Sequence, residues 1–222
     1  MYRLAFLFFL IMNVAVSLPA QNYDAAMKSA GMVDIAEIVP DVVIDLMYAG
    51  KDNFVGEDMY GTLKKAYIHP EAAAGLAKAQ TALRKEYPGY SLKVCDAARP
   101  ISVQRKMWNK VKGTPKSKYV SNPTRGGGQH NFGLAVDITI IDENGNELPM
   151  GTPVDHLGYE SNIDSETSLV KQGKISEQER QNRLLLRKVM RAGGFSALRT
   201  EWWHFNFKSR AVARSRYKLL DF

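Results

Sequence analysis

From Leu134 to Ile140 a large aliphatic residue stands at every second position. Leu134, Val136, Ile138 and Ile140 fall on one side, and Ala135, Asp137, Thr139 and Ile141 on the other. That is the period-2 pattern of a strand, and it places one acid on an otherwise uncharged segment. Weaker alternation predicts strands over 42–48 (Val42, Ile44, Leu46, Tyr48) and 90–94 (Tyr90, Leu92, Val94). Helical spacing of Ala72, Leu76, Ala79 and Leu83 follows Pro70 and ends at Pro88-Gly89, with proline placed where its missing N–H costs nothing. A second helix carries Val103, Met107 and Val111, with Ser102 as its cap. A third opens on the capping box Ser176/Glu179, runs through Leu185, Val189 and Met190, and stops at Gly193-Gly194. A last strand starts near Phe195 and carries Glu201-Trp202-Trp203-His204-Phe205. Polar loops fill 49–66, 112–128 and 149–175, and residues 142–146 have the chemistry of a hairpin tip. Interleaved elements with a hairpin and long loops predict a single α+β domain, a central antiparallel sheet with flanking helices, rather than a parallel sheet.

Composition narrows the picture modestly. The hydrophobic fraction of 45% and charged fraction of 24% are those of an ordinary globular chain. The net charge of +7 is not gathered into a basic run interleaved with aromatics, so no nucleic-acid partner is expected. Residues 1–20 read as an export signal: Arg3 is the only charge, and Leu4 to Val16 is apolar but short for a bilayer span. Small residues then allow cleavage after Ser17 or Ala20. The expectation is a mature domain over 21–222, periplasmic or secreted, with no stable membrane insertion once the signal is removed. The single Cys95 excludes an internal disulfide, and its place in a strand suggests a buried, inert thiol. His69, just ahead of a helix, reads as structural.

Two stretches carry chemistry. Glu201 and His204 stand three apart among aromatics, and His130 and Asp137 stand seven apart around the clearest strand. His130, Asp137 and His204 would supply the three ligands of a catalytic zinc that leaves a position for water. Glu201 would then take the water's proton and pass it to a leaving amine. Arg99, at the end of the strand segment Asp96-Ala97-Ala98-Arg99-Pro100, would stabilise an oxyanion. Trp202, Trp203, Phe205 and Phe207 would wall the site. Spacing alone equally fits four satisfied side chains that never meet. Odd separations put residues on opposite faces of a straight strand. A shared site therefore requires a break near Gly133 and a bend or bulge near Trp202-Trp203.

These residues resemble a known family. His130-Asn131-Phe132-Gly133-Leu134-Ala135-Val136-Asp137 resembles the H-x-x-G-x-A-x-D zinc signature of the D-alanyl-D-alanine dipeptidases, relatives of zinc D,D-carboxypeptidases and of the Hedgehog domain. Glu201-Trp202-Trp203-His204 resembles their E-W-W-H motif, and Asp96 to Pro100 their D-x-x-R-P segment. Asp45-Leu46 through Asn53-Phe54-Val55-Gly56, and Met150-Gly151-Thr152 with Asp155, resemble two further segments, so the likeness covers about 40–207. It implies one zinc per chain on His130, Asp137 and His204, Glu201 as base, Arg99 as oxyanion partner, and hydrolysis of free D-Ala-D-Ala. Asp96, Asp155 and Gln129 become candidate substrate contacts. The chain departs from the family at Gly128 and Gln129, where serines are common, and at Ala98 and Val154, where aromatics are usual. These departures lie near where the dipeptide's amine would be held. A carboxypeptidase or endopeptidase acting on wall stem peptides, and a non-enzymatic zinc module, are the alternatives.

Overall fold

The computed structural model describes residues 22–222, so the expected signal segment lies outside the described residues. A five-stranded sheet runs in the order β2 (Val43–Ile44), β4 (Ser91–Asp96), β5 (Ala135–Ile141), β7 (Glu201–Asn206), β6 (Ser196–Leu198). A separate antiparallel pair joins β1 (Val33–Asp34) to β3 (Tyr67–Ile68). The helices are α1 (Tyr23–Ser29), α2 (Ile35–Ile38), α3 (Pro70–Glu86), α4 (Ile101–Val111), α5 (Glu166–Lys171), α6 (Glu177–Ala192) and α7 (Arg210–Arg216).

β5 sits at the centre, and all seven of its residues are buried. Val136, Ile138 and Ile140 join the main core with Leu76, Leu83, Leu186 and Met190, so α3 and α6 pack against the sheet as the helical patterns predicted. The start signals of α3 and α6 act as read. Pro70 occupies the first turn of α3, and His69 caps it, its Nδ1 accepting from Glu71 N at 3.3 Å. His69 is therefore structural, and its ring stacks edge-on against Tyr217. Both bonds of the Ser176/Glu179 box are present at α6. α3 and α6 touch backbone to backbone: a Cβ added at Gly75 would lie 2.5 Å from Gly193 O. Cys95 is buried, and burial pushes its thiol well above the usual range.

Four expectations change in detail. The sheet is mixed rather than wholly antiparallel, because β2 pairs parallel to β4 while the other three pairings are antiparallel. A parallel pair needs a long crossover, and the stretch containing α3 supplies it. The strand expected over 42–48 shrinks to two residues and gives way to a 3-10 turn, Met47–Ala49. There the Asn53 amide donates to the carbonyls of Met47 and Gly50 in place of a ladder partner. Ser102 does not cap α4; Pro100 stands at the cap position, and Ser102 Oγ donates to Phe222 O at 2.6 Å. The hairpin past Ile141 is reduced to one bridge, Ile141 to Glu147, around a turn held by the Asp142 carboxylate.

Candidate active site

The antiparallel register of β5 and β7 sets Asp137 directly opposite His204. Directly opposed side chains share a face at close range, so two of the four candidate residues meet because of strand pairing alone. His130 arrives by a different route. It lies on a 3-10 turn, Gln129–Phe132, closed by Gly133 at φ 65°. A side chain there would be strained, and its Cβ would fall 2.5 Å from Met32 Sδ. That turn breaks the strand parity and brings His130 round to Asp137. Asn131, fully buried, locks it: its amide donates to Arg99 O at 2.8 Å and its carbonyl accepts from Gly128 N at 2.8 Å. Arg99 N donates in turn to His130 O at 2.9 Å.

Glu201 joins through a distortion of β7. Ala197 pairs with Phe205 but Leu198 pairs with Glu201, so one step along β6 spans four along β7. Trp202, Trp203 and His204 are the extra residues, where the odd spacing called for a bulge. Glu201 Oε2 then lies 3.9 Å from His204 Nδ1.

His204 Nδ1 is 2.9 Å from Asp137 Oδ1 and 3.1 Å from His130 Nε2, and the latter is 3.4 Å from the same carboxylate oxygen. The far nitrogens fix the tautomers. His130 Nδ1 is 2.7 Å from Ala97 O, and His204 Nε2 is 3.0 Å from Asn206 Oδ1; each must donate there. In the neutral imidazoles both inward nitrogens are thus lone pairs, converging on a carboxylate. Three acceptors at such range need a shared cation. Their separations are close to the roughly 3.3 Å between ligands of a tetrahedral ion with bonds of about 2.0–2.1 Å. The donor set fits a zinc-type metal, and the Ala97 carbonyl and Asn206 amide are the outer partners that orient such ligands.

The electrostatics suit this. Burial works against an ionised Asp137, yet the two histidines hold it well below the usual carboxylate range. Burial also opposes charge on His204, but its bond to Asp137 prevails and pushes it up to about 9. Burial, with Asp137 and Asp155 nearby, raises Glu201 to about 7 despite His204. Burial raises Asp155 to about 7 as well.

Arg99 is buried with its guanidinium 4.9 Å over the Tyr48 ring. It donates to Asp96 and, at 3.0 Å, to Gln104 Oε1, and reaches to 3.9 Å from Asp137 Oδ2. Asp96 keeps this group charged and accepts from Tyr60 as well.

A cavity of about 250 Å³ opens over the cluster, and Arg99, Gln129, His130, Asp137, Asp155, Glu201 and His204 all line it. Of the candidate substrate contacts, Asp155 holds both oxygens against the wall, accepting from Tyr48 OH at 2.9 Å and Phe54 N at 3.0 Å, on a backbone at φ 68°. Gln129 donates to Lys208 O at 2.6 Å and leaves its buried Oε1 without a partner. Asp96 is placed differently. It is fully buried behind Arg99 and does not line the cavity. Among the four aromatics, only Trp203 faces the cavity. Trp202 is tied to Thr152 and Arg183, Phe205 is core, and Phe207 packs on Phe195. Sequence reasoning missed Tyr48, Tyr60, Gln104 and Asn206 as supports. Only Asn206 carried a local signal, standing two residues, hence one face, from His204.

Known proteins resemble this chain over most of its length. A family model described as D-ala-D-ala dipeptidase matches residues 28–220, a wider span than the motifs alone covered. The D-alanyl-D-alanine dipeptidase of Escherichia coli is 34% identical over 180 residues, 81% of this chain and 86% of that protein. The proteins of the same name from Enterococcus faecalis and Enterococcus faecium are each 29% identical, over 79% and 84% of this chain and 90% and 96% of their own length. The chain belongs to the D-Ala-D-Ala dipeptidase family.

Proposed function

We propose that the protein is an exported zinc dipeptidase that hydrolyses free D-alanyl-D-alanine or a closely related wall-derived dipeptide. The observation that carries the reading is the convergence of two oriented imidazole lone pairs and one carboxylate, with a second carboxylate 3.9 Å from His204. His130, Asp137 and His204 would hold one zinc, whose chemistry is to acidify a water and polarise the scissile carbonyl. Glu201, raised to about 7 by burial, is suited to accept a proton from the attacking water at its carboxylate oxygen and release it to the leaving amine nitrogen. Arg99, held by Asp96 and Gln104, would present a fixed positive charge to the carbonyl oxygen as it becomes an oxyanion. Asp155 offers an acid to the dipeptide's ammonium, and the free Gln129 Oε1 a neutral acceptor. Asp96 acts through Arg99 rather than on substrate.

Ala98 is buried and does not line the cavity. It therefore makes no direct contact with a substrate in the cleft, and the stem-peptide alternative is left to the substrate comparison below. Export rests on the apolar segment at 4–16. Among the described residues no helix is long and apolar enough to cross a membrane.

The test is hydrolysis by the zinc-loaded protein of D,D-, L,D- and L,L-dipeptides and of a pentapeptide stem. D-Ala-D-Ala should be preferred, chelation should abolish turnover and zinc should restore it. Glu201→Ala should lower kcat by roughly 10²–10⁴-fold, the usual contribution of a positioned acid–base group, while retaining metal. Full turnover by that variant, or preference for the stem peptide, refutes the assignment.

A further inference from the structure

We propose that Arg210 is the anchor for the substrate's terminal carboxylate, and so the residue that restricts the enzyme to a free C-terminus; this rests on the dipeptidase reading above. A dipeptide enters as a zwitterion. The cavity lining holds three acids, Asp137, Asp155 and Glu201, and two arginines, Arg99 and Arg210. Arg99 is already assigned to the carbonyl oxygen, and its charge is shared with Asp96 and the nearby Asp137. Arg210 has no carboxylate partner among the described residues, and its one recorded bond is from Nη2 to Gly127 O at 3.1 Å. The other N–H groups of its fork stay available, and the planar guanidinium matches a carboxylate in two-point geometry.

Arg210 is exposed but tethered at the cavity's edge. It opens α7, whose cap is the Ser209 hydroxyl accepting from Val212 N. Its acceptor, Gly127, sits at φ 63°, where a Cβ would strike Asn131 Oδ1 at 2.3 Å. Only glycine lets that carbonyl turn outward while Asn131 grips the adjacent Gly128 N–H. The loop leading into His130 therefore also braces Arg210, so the arginine and the candidate metal ligand are positioned by the same few residues. A substrate extended or amidated at its C-terminus would present no anion to this group.

The experiment compares D-Ala-D-Ala with its C-terminal amide on the zinc-loaded wild type, Arg210→Ala and Arg210→Lys. The wild type should prefer the acid. Arg210→Ala should raise KM for the acid roughly tenfold, the scale of one charge-assisted hydrogen bond in a half-open site, with kcat nearly kept and the amide unaffected. Arg210→Lys should restore part of the preference. Equal losses on both substrates, or none, overturn the proposal. Calorimetric titration of the acid and the amide into zinc-loaded Glu201→Ala protein, with and without Arg210→Ala, supplies a reading independent of turnover. If the wild type cleaves neither compound the dipeptidase reading falls, and Arg210 is then judged by whether binding prefers the acid only when it is present. Absence of that preference overturns the inference.

Discussion

Stripping the metal should make the protein's stability depend on pH in a window set by His204. Without a cation, the inward nitrogens of His130 and His204 and the Asp137 oxygen stand 2.9–3.4 Å apart and can be held together only by a proton. His204 takes it. Burial disfavours the imidazolium, but the hydrogen bond and charge of Asp137 outweigh burial and carry it from 6.5 to about 9. A folded-state value above the unfolded one means the stabilisation is fully present below pH 6.5 and lost as pH rises through 9. The interval of about 2.5 pH units corresponds to about 3 kcal/mol at about 1.36 kcal/mol each. In a chain of this size that is about 6–12 °C in Tm, at about 2–4 °C per kcal/mol.

The assay is thermal melting of chelated and zinc-reloaded protein at half-unit steps from pH 6 to 9.5. Glu201 and Asp155 also have raised values, near 7. As carboxyls with raised folded-state values they lower stability as pH climbs from their ordinary range through 7, and then level off. Because the buried Cys95 thiol, also raised, adds its own fall above about 8.5, the fall between about 7.5 and 8.5 is the one that belongs to His204, and His204→Gln should remove it. In the reloaded protein the cation stands in for the proton, so the slope should vanish. Metal affinity should drop roughly tenfold for each pH unit below 9, because binding must release that proton. Chelated wild type that melts at a constant temperature from pH 7.5 to 8.5, or a slope in that interval that survives in His204→Gln, would refute the convergent-acceptor account.

Two further outcomes follow from the geometry. Asn206→Ala removes the acceptor that holds the His204 tautomer at 3.0 Å and should weaken zinc binding by roughly 10–100-fold in chelator competition, with Asn206→Asp restoring it; unchanged affinity would make Asn206 a bystander. Gly75→Ala adds a helix-favouring residue to α3, a gain of about 1 kcal/mol, but its Cβ would lie 2.5 Å from Gly193 O and 2.8 Å from Phe207 Cε2. Overpacking of about 1–3 kcal/mol should prevail and lower the urea midpoint, and a raised midpoint would show that α3 and α6 part freely.

Local patterns made the helices legible, because their signals act within one or two turns: Pro70 with His69, Ser176 with Glu179, Gly193-Gly194 at a stop. The strand β5 was legible for the same reason, though not the burial of both its faces. Pairing was not. The parallel partnership of Val43–Ile44 with β4 depends on a crossover whose direction no alternation encodes, and Tyr48 leaves the strand because its hydroxyl finds Asp155, 107 positions away. The supports of Arg99 were hidden likewise: Tyr60 reaches Asp96 from a loop, and Gln104 looks like any polar residue of an amphipathic helix until its burial is seen.

Parity explains why the site itself was partly readable. A sheet sorts side chains by odd and even position. His204 meets Asp137 through register, and Asn206, two residues on, shares that face with no irregularity. His130 is seven residues from Asp137 and Glu201 is three from His204, both odd, so each can join only where the strand rule is broken. The breaks stand at those two places and by different means. Gly133 permits a left-handed turn that swings His130 inward, whereas β6 skips three residues of β7 and frees Glu201 from its alternation. The first break needs glycine and is visible as a glycine. The second needs only that Trp202 and Trp203 find separate places to bury, one against Thr152 and Arg183 and one at the cavity wall. The tryptophan pair between Glu201 and His204 thus fills the bulge by packing, which is how two side chains at a spacing forbidden to a straight strand can share one face of a sheet.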